Sequence, residues 1–362
     1  MILQAEGVLT VNERLLRAAI RHAVLMERMK ASEVEAIISM LNRDVIPDIT
    51  ARLRWMLDRV NLRGIDALVL KTQRYKDMIS GLNGVIDEGT RAIRLEHVDR
   101  LIEVAKYEAE WQRGAIARAS PVNVKLDLPS VSTMRSIVTS RPFEGHLMRD
   151  WWSGLAEATK GRVQAQINAG LSLSEGTDEI VRRIRGTAQA RFQDGAMQTT
   201  RRNAEAIVRT ATQHVSSNTR EAMYEANSDV IDGVQIVATL DTRTTPICRS
   251  QDGKVYKAGE GPRPPFHWGC RTTTAPVLKS WKALGLPFKE LDAPGRASMN
   301  GQVPASMTYY EWLASQPANV QDMALGPSRG KLFRSGKVSA ERFVDVRGRP
   351  LTLKELAAVE AA

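Results

Sequence analysis

Apolar residues recur at helical spacing through most of the first 118 residues. One stripe runs from Leu15 to Val24 and another from Val34 to Val45, and longer periodic runs extend over 65–79 and 90–117. Residues three and four positions apart share one face of a helix, so this spacing predicts long amphipathic helices. Pro47 interrupts the pattern and is expected to end or kink its helix, because proline removes a backbone donor.

After residue 118 the helical pattern gives way to a Ser/Val-rich stretch that contains three prolines. The helical pattern returns at Gly145 and continues in two further segments, over 174–184 and 199–227. We therefore divide the chain into a helical N-terminal region (1–118), a linker or crossover (119–144), a mixed domain (145–277) and a C-terminal arm with short helices (278–362).

A small sheet is predicted within the mixed domain. Residues 233–239 alternate in the manner of a strand, an Asp-Gly turn precedes Val255 and Tyr256, and the β-branched run 272–274 supplies a third strand. The predicted fold class is α+β, mostly helical, with an antiparallel sheet leaning on the preceding helix.

The C-terminal arm is rich in Gly and Pro over 280–303 and then carries short helical segments. Its aromatic residues Tyr309, Trp312 and Phe333 have two interpretations. Exposed, they would anchor the arm on a partner, since aromatic residues are enriched at interfaces. Buried, they would form a small core of the arm's own.

The segment from Leu240 to Val277 is the densest part of the chain in special residue types. It contains an Asp-Thr-Arg-Thr turn, an Asp-Gly-Lys turn, a Pro-Pro pair, one histidine, a Cys-Arg step and both cysteines of the chain. The candidate signature residues, including two on the helix upstream, are Arg209, Thr210, Asp241, Arg243, Thr244, Cys248, Asp252, Gly253, Lys254, Pro265, His267, Cys270 and Arg271.

This ordered set of elements resembles the phage Mu F-like minor head proteins, the head morphogenesis family of tailed phages. The resemblance covers roughly residues 145–277, and several elements in order are stronger evidence than one short motif. Many members place further cysteines where this chain has Thr245 and Thr272. Because both are missing together, the resemblance implies that those two positions partner each other and that Cys248 and Cys270 are the remaining pair.

The spacing Cys-x18-His-x2-Cys offers three zinc ligands, Cys248, His267 and Cys270, with Asp241 or Asp252 as candidates for a fourth. A disulfide formed after release from the reducing cytosol and two neighbouring buried thiols are the alternatives, and the sequence leaves them open. His267 is interpreted as a structural histidine. Asp241 is expected to pair with Arg243, and Asp252 to accept hydrogen bonds within its own turn.

The net charge of +10 and pI near 9.7 permit contact with nucleic acid or with an acidic protein surface. Between Arg182 and Arg220 there are eight arginines and two acidic residues. A solvated basic helix face with scattered ion pairs is the simpler interpretation. The candidate contacts to DNA or to an acidic partner are Arg182, Arg183, Arg185, Arg201 and Arg202.

The resemblance implies a structural minor head protein acting in head assembly near the portal, with portal and major capsid proteins as partners and packaged DNA as a further candidate. It implies a place in the virion head, assembly in the host cytoplasm, and a low or portal-matched copy number. No span of membrane-crossing length is present. No residue pattern argues for an enzyme, and no cofactor besides zinc is a candidate. The alternatives are a metal-dependent nuclease or DNA-processing enzyme built around Cys248, His267 and Cys270, and a plain DNA-binding protein.

Overall fold

The computed structural model describes residues 10–59, 73–280, 283–284, 295–304, 307–345 and 348–361. Helices make up 66% and strands 7% of the structure, so the predicted mostly helical α+β class is confirmed. Among the described residues, no helix combines the length and hydropathy needed to cross a bilayer.

Three long helices account for the described part of the N-terminal region. They are α1 (Val11–Met40), α2 (Ile46–Arg59) and α3 (Gln73–Ala119), with a π-helical turn over Leu41–Val45. The chain stays helical through Pro47, but the regular α-helical pattern is interrupted immediately before it by the π-helical turn, and α2 begins at Ile46. Such π-helical turns are among the sites where helices kink. Most of the periodic run over 65–79 lies outside the described residues.

Four helices follow before the sheet. They are α4 (Val131–Ser140), α5 (Met148–Ser172), α6 (Thr177–Arg185) and α7 (Met197–Ala226). The last three match the helices predicted from periodicity. Helix α4 lies within the predicted linker or crossover and buries Met134, Ile137 and Val138, so this stretch contains an ordered helix.

The sheet has three antiparallel strands in the order β2-β1-β3. They are β1 (Ile231–Val237), β2 (Val255–Tyr256) and β3 (Thr273–Leu278), and a short helix α8 (Pro246–Gln251) lies between the first two. Val234 pairs with Tyr256 on one side of β1, and Ile236 pairs with Thr274 on the other. The three strands lie where the alternating and β-branched runs predicted them.

The C-terminal region begins with a hairpin of β4 (Gly295–Ser298) and β5 (Gly301–Pro304). Helices α9 (Tyr309–Ala314), α10 (Ala318–Leu325), α11 (Pro327–Ser335) and α12 (Leu353–Ala361) follow, with a 3-10 turn at Ala340–Phe343. Of the predicted extended arm over 280–303, the structure describes the hairpin and residues 283–284.

The aromatic residues of this region are not exposed anchors. Tyr309 and Trp312 are fully buried and pack with Leu240, Leu313 and Leu356, while Phe333 is partly buried against the same cluster. The interpretation that these side chains are buried is therefore correct, but the core is not the arm's own, because Leu240 of the mixed domain belongs to it.

The chain divides into two compact units. The described residues within 1–28, 105–131 and 216–362 form unit 1, and those within 29–104 and 132–215 form unit 2. In unit 1, Leu16 and Ala19 of α1 pack against Val237 and Ala275 of the sheet. The core of unit 1 therefore joins segments from widely separated parts of the sequence.

Candidate functional site

Asp241 organises the first turn of the signature segment. Its Oδ1 accepts hydrogen bonds from the Arg243 backbone N–H at 3.0 Å and from the Thr244 hydroxyl at 3.1 Å. The predicted Asp241–Arg243 ion pair is only a distant contact of 3.9 Å, and the Arg243 side chain is 80% exposed. The close partner is Arg271, whose guanidinium donates to both carboxylate oxygens at 2.7 and 2.9 Å.

This bidentate pair joins the turn to the entry of strand β3. Burial raises the pKa of Asp241, but the hydrogen bonds and charge of Arg271 outweigh that effect and hold the pKa below its usual value. The carboxylate therefore stays charged near neutral pH and fixes the relative position of two signature elements.

The Asp252-Gly253 step is a turn that requires glycine. Asp252 has φ −59° and ψ 133°, Gly253 has φ +80°, and the Lys254 N–H donates to the Gln251 carbonyl at 3.2 Å. These angles are those of a type II turn, whose third residue has a positive φ that glycine adopts without strain.

Asp252 was predicted to accept hydrogen bonds within its own turn, but its main hydrogen bonds are to other parts of the chain. Its Oδ1 accepts from the backbone N–H of Ala238 and its Oδ2 from the backbone N–H of Tyr309, each at 2.7 Å. The side chain is buried, with 6% of the residue exposed. One carboxylate therefore links the end of β1 to the start of α9.

A proline loop presents His267. Pro264 and Pro265 are joined by a cis peptide bond, and the Cys270 N–H donates to the His267 carbonyl at 3.2 Å. Nδ1 of His267 lies 2.8 Å from the Trp268 carbonyl, to which it donates as Nδ1–H. This hydrogen bond fixes the ring, so that Nε2 faces the cysteines.

Cys248, His267 and Cys270 form one cluster, which we call the Cys-His cluster. Cys248 Sγ lies 3.3 Å from His267 Nε2 and 3.7 Å from Cys270 Sγ, and the three ligand atoms all lie within 4.8 Å of one another. Both cysteines are free and buried, and His267 is half-buried. The structure thus brings together all three residues singled out as ligands.

The two thiols differ in their ionisation. The hydrogen bond with Cys248 lowers the pKa of Cys270, and His267 adds to this effect against the opposing influence of burial. The same contact and burial raise the pKa of Cys248. Cys270 also raises the pKa of His267. Negative charge in the cluster is therefore favoured on Cys270, beside the imidazole.

Sequence reasoning missed a second cluster, the buried charge cluster of His22, Glu108, Gln112, Ser216 and Arg220. Glu108 is fully buried and accepts hydrogen bonds from Ser216 at 2.7 Å and Gln112 at 2.8 Å. His22 Nε2 lies 2.9 Å from the same carboxylate, and Arg220 Nε lies 3.4 Å from it.

Arg220 connects this cluster to the sheet. It is 2% exposed and donates to the Thr273 hydroxyl of β3, so it does not belong to a solvated basic face. The sequence signal was a polar residue at an apolar stripe position: His22 follows Leu15 and Ala19 at helical spacing, and Glu108 follows Leu101 and Val104.

Two of the five candidate DNA-contacting arginines form local ion pairs. Arg182 pairs with Glu179 at 2.9 Å, and Arg183 pairs with Glu175 at 2.5 Å. For Arg182 and Arg183, these contacts agree with a solvated basic helix face that carries scattered ion pairs.

The other three candidates have different surroundings. Arg201 donates to the Asn42 side chain and the Phe192 carbonyl, and Arg185 lies over the Phe192 ring. Arg185 and Arg202 are exposed, and among the described residues no carboxylate pairs with either. They are the candidates with the most accessible charge.

The upstream signature residues Arg209 and Thr210 lie on α7, within unit 2. Arg209 pairs with Glu205 at 2.8 Å, one helical turn earlier, and Thr210 is fully buried. Neither is a member of the Cys-His cluster.

Comparison with known proteins gives a family for the central segment. No curated protein and no solved structure matches the chain. A family model described as Phage Mu protein F like protein matches residues 161–275, about a third of the chain, from α5 to the middle of β3. Over residues 161–275 the chain is thus similar to the phage Mu F-like proteins, and the resemblance predicted from the ordered motif is confirmed there.

Proposed function

We propose that this protein is a structural minor component of a tailed-phage head, incorporated during head assembly near the portal. The observation that carries the proposal is the family match over residues 161–275, which includes the signature turns and all three residues of the Cys-His cluster. The family supports a role in phage head morphogenesis, and the place near the portal is the finer part of the proposal.

The contacts of the buried charged residues in the signature segment support a structural role. Arg249 is buried and donates to the backbone carbonyls of Thr244 at 2.6 Å and Ala324 at 2.9 Å. Asp241 and Asp252 likewise hydrogen-bond to groups of this chain. Such side chains stabilise a rigid platform, which is what an assembly component presents to its neighbours.

Other residues of the signature segment remain exposed. Arg243 is 80% exposed at its side chain, Trp268 is 40% exposed, and Lys254 is exposed. Tryptophan and arginine side chains contribute most of the binding energy at many protein contacts. We propose that these three exposed residues take part in the contact with portal or capsid proteins.

The test is quantitative mass spectrometry of purified virions and of empty heads isolated before packaging. We expect the chain at a low, fixed ratio to the portal protein in both particles, and far below the major capsid protein. A triple variant with alanine at Arg243, Lys254 and Trp268 is expected to fold but to be depleted from particles. A matched variant with alanine at the exposed residues Arg135, Lys125 and Trp55 is expected to be retained.

Absence of the wild-type chain from both particles would overturn the structural proposal. The next assay would then be metal-dependent DNA cleavage, with loss on His267→Ala as the mark of the nuclease alternative. Retention of both triple variants would leave head incorporation standing and refute the assignment of the contact surface.

We further propose that Arg185 and Arg202 contact packaged DNA, because both are exposed without a carboxylate partner among the described residues. The double variant Arg185→Gln/Arg202→Gln is expected to weaken DNA binding. Each phosphate that an arginine no longer neutralises should reduce the slope of log affinity against log salt concentration by about 0.9. Fluorescence anisotropy with duplex DNA at several salt concentrations measures both the affinity and the slope.

The control is Arg135→Gln/Arg149→Gln, which removes the same charge from two exposed arginines of unit 2. If both double variants change affinity and slope equally, binding follows net charge and the assignment to Arg185 and Arg202 is wrong. If the wild-type protein shows no salt-dependent binding, the proposed DNA contact is wrong.

A further inference from the structure

We propose that the Cys-His cluster is a zinc site, in which Cys248, His267 and Cys270 supply three ligands and a water molecule completes a tetrahedron. The proposal is independent of the role in head assembly, because it concerns the metal content of the purified chain.

Two of the three distances between the ligand atoms agree with the edges of a zinc tetrahedron, and the third is below 4.8 Å. Zinc binds sulfur at about 2.3 Å and imidazole nitrogen at about 2.0–2.1 Å in tetrahedral geometry. Those bond lengths place two sulfurs about 3.8 Å apart and a sulfur and a nitrogen about 3.5 Å apart. The structure has 3.7 Å between Cys248 Sγ and Cys270 Sγ and 3.3 Å between Cys248 Sγ and His267 Nε2.

The hydrogen bond of Nδ1 already orients the His267 ring as zinc binding through Nε2 requires. Nδ1 donates to the Trp268 carbonyl at 2.8 Å, which leaves the lone pair of Nε2 directed toward the sulfurs. Metal-bound histidines almost always donate their other ring N–H to a carbonyl, carboxylate or water, which orients the ring and raises its basicity.

The donor set favours zinc over the hard cations. Two thiolates and one imidazole suit zinc, whereas Mg²⁺ and Ca²⁺ prefer oxygen ligands. Cys248 and Cys270 are 2% and 1% exposed, so an ion between them would be shielded on the side of the sulfurs. Half-buried His267 forms the more accessible side, where water can reach the fourth position.

The alternatives make different predictions. A disulfide needs the sulfurs at about 2.05 Å, closer than the 3.7 Å seen here. Two neighbouring thiols that bind no metal require neither the histidine nor the fixed orientation of its ring. Metal content, thiol titration and intact mass distinguish these three states.

The experiment uses the full chain purified under anaerobic conditions without chelator, then dialysed against Zn²⁺. Inductively coupled plasma mass spectrometry is expected to find one zinc ion per chain. Replacement of Zn²⁺ by Co²⁺ should give the intense visible bands of tetrahedral cobalt and a near-ultraviolet sulfur-to-cobalt charge-transfer band. This readout requires no change of residue.

Cys270→Ser and His267→Asn are expected to weaken Zn²⁺ binding by more than about 100-fold, since even changes to the partners of a ligand cost about 10- to 100-fold. His146→Asn, which changes an exposed histidine of unit 2, should bind zinc normally. Circular dichroism establishes that each variant is folded.

Two results would overturn the proposal. The first is a metal-free wild-type chain with two titratable thiols and no cobalt charge-transfer band. The second is an intact mass lower by two hydrogens after anaerobic purification, which identifies a disulfide. Zinc binding by a chain that is absent from phage particles would support the site and contradict only the head assignment.

Discussion

Replacement of Glu108 by alanine is expected to lower the free energy of unfolding of unit 1 by about 3–5 kcal/mol, because it leaves the buried Arg220 without its carboxylate. Arg220 is 2% exposed and Glu108 is fully buried, so water cannot replace the missing charge. Urea titration followed by far-ultraviolet circular dichroism measures the change. Tryptophan fluorescence is a second probe, since Trp111 stacks on His22 with ring centroids 3.6 Å apart.

The matched control is Glu110→Ala on the same helix, where the carboxylate is 53% exposed and pairs with Arg113 at the surface. We expect a change of no more than about 1 kcal/mol for that variant. Equal effects of Glu108→Ala and Glu110→Ala would contradict the importance assigned to the buried charge cluster.

The same carboxylate gives a pH dependence of defined sign. Burial raises the pKa of Glu108, but Arg220 and the hydrogen bonds of His22 and Gln112 lower it from 4.5 to about 2. Because its pKa is lower in the folded protein than in the unfolded chain, ionised Glu108 stabilises the fold at pH values above 4.5. That stability is lost as the pH falls from 4.5 toward 2. The acid titration of Glu108→Ala should lack this contribution.

Replacement of Asp252 by alanine is expected to destabilise unit 1 by about 3–6 kcal/mol, since hydrogen bonds to a charged group contribute about 1.5–3 kcal/mol each. The variant leaves the N–H groups of Ala238 and Tyr309 without their acceptor. Denaturant titration gives the total effect. Hydrogen exchange at these two amides shows whether it arises at the predicted contacts.

Asp252→Asn keeps one acceptor oxygen and should show a smaller destabilisation than Asp252→Ala. Asp229→Ala, at an exposed position before β1, should be nearly neutral. If the amides of Ala238 and Tyr309 keep full protection in Asp252→Ala, the side chain does not link the sheet to α9 and the assigned role is wrong.

Local patterns were sufficient to predict most elements of the fold. Helices α5, α6 and α7 follow from apolar spacing, and β1 follows from alternation, because each of these patterns needs only a few neighbouring residues to be recognised. The Asp252-Gly253 turn was also predictable, since a positive φ at Gly253 is a local requirement. Helix α8 was missed because its six residues are too few for a periodic signal.

Long-range partners could not be predicted in the same way. Asp241 has the nearby Arg243 and the distant Arg271 as candidates, and only the folded chain shows that Arg271 makes the bidentate pair. Likewise, Asp252 contacts Tyr309, which lies 57 residues away. The spacing of the Cys-His cluster predicted which residues meet, but its distances and the orientation of His267 required the structure.

The segmented construction of unit 1 has a consequence for folding during synthesis. Leu16 and Ala19 pack against Val237 and Ala275, which are translated more than 200 residues later. At about 5–20 residues per second, the ribosome takes about 10–50 s to supply them. The first helix must therefore emerge with its apolar face uncovered, and a nascent chain interrupted before residue 216 lacks the sheet that would cover it. Aggregation of such interrupted chains is the hazard, and a chaperone that holds this helix during translation would protect the yield of complete protein.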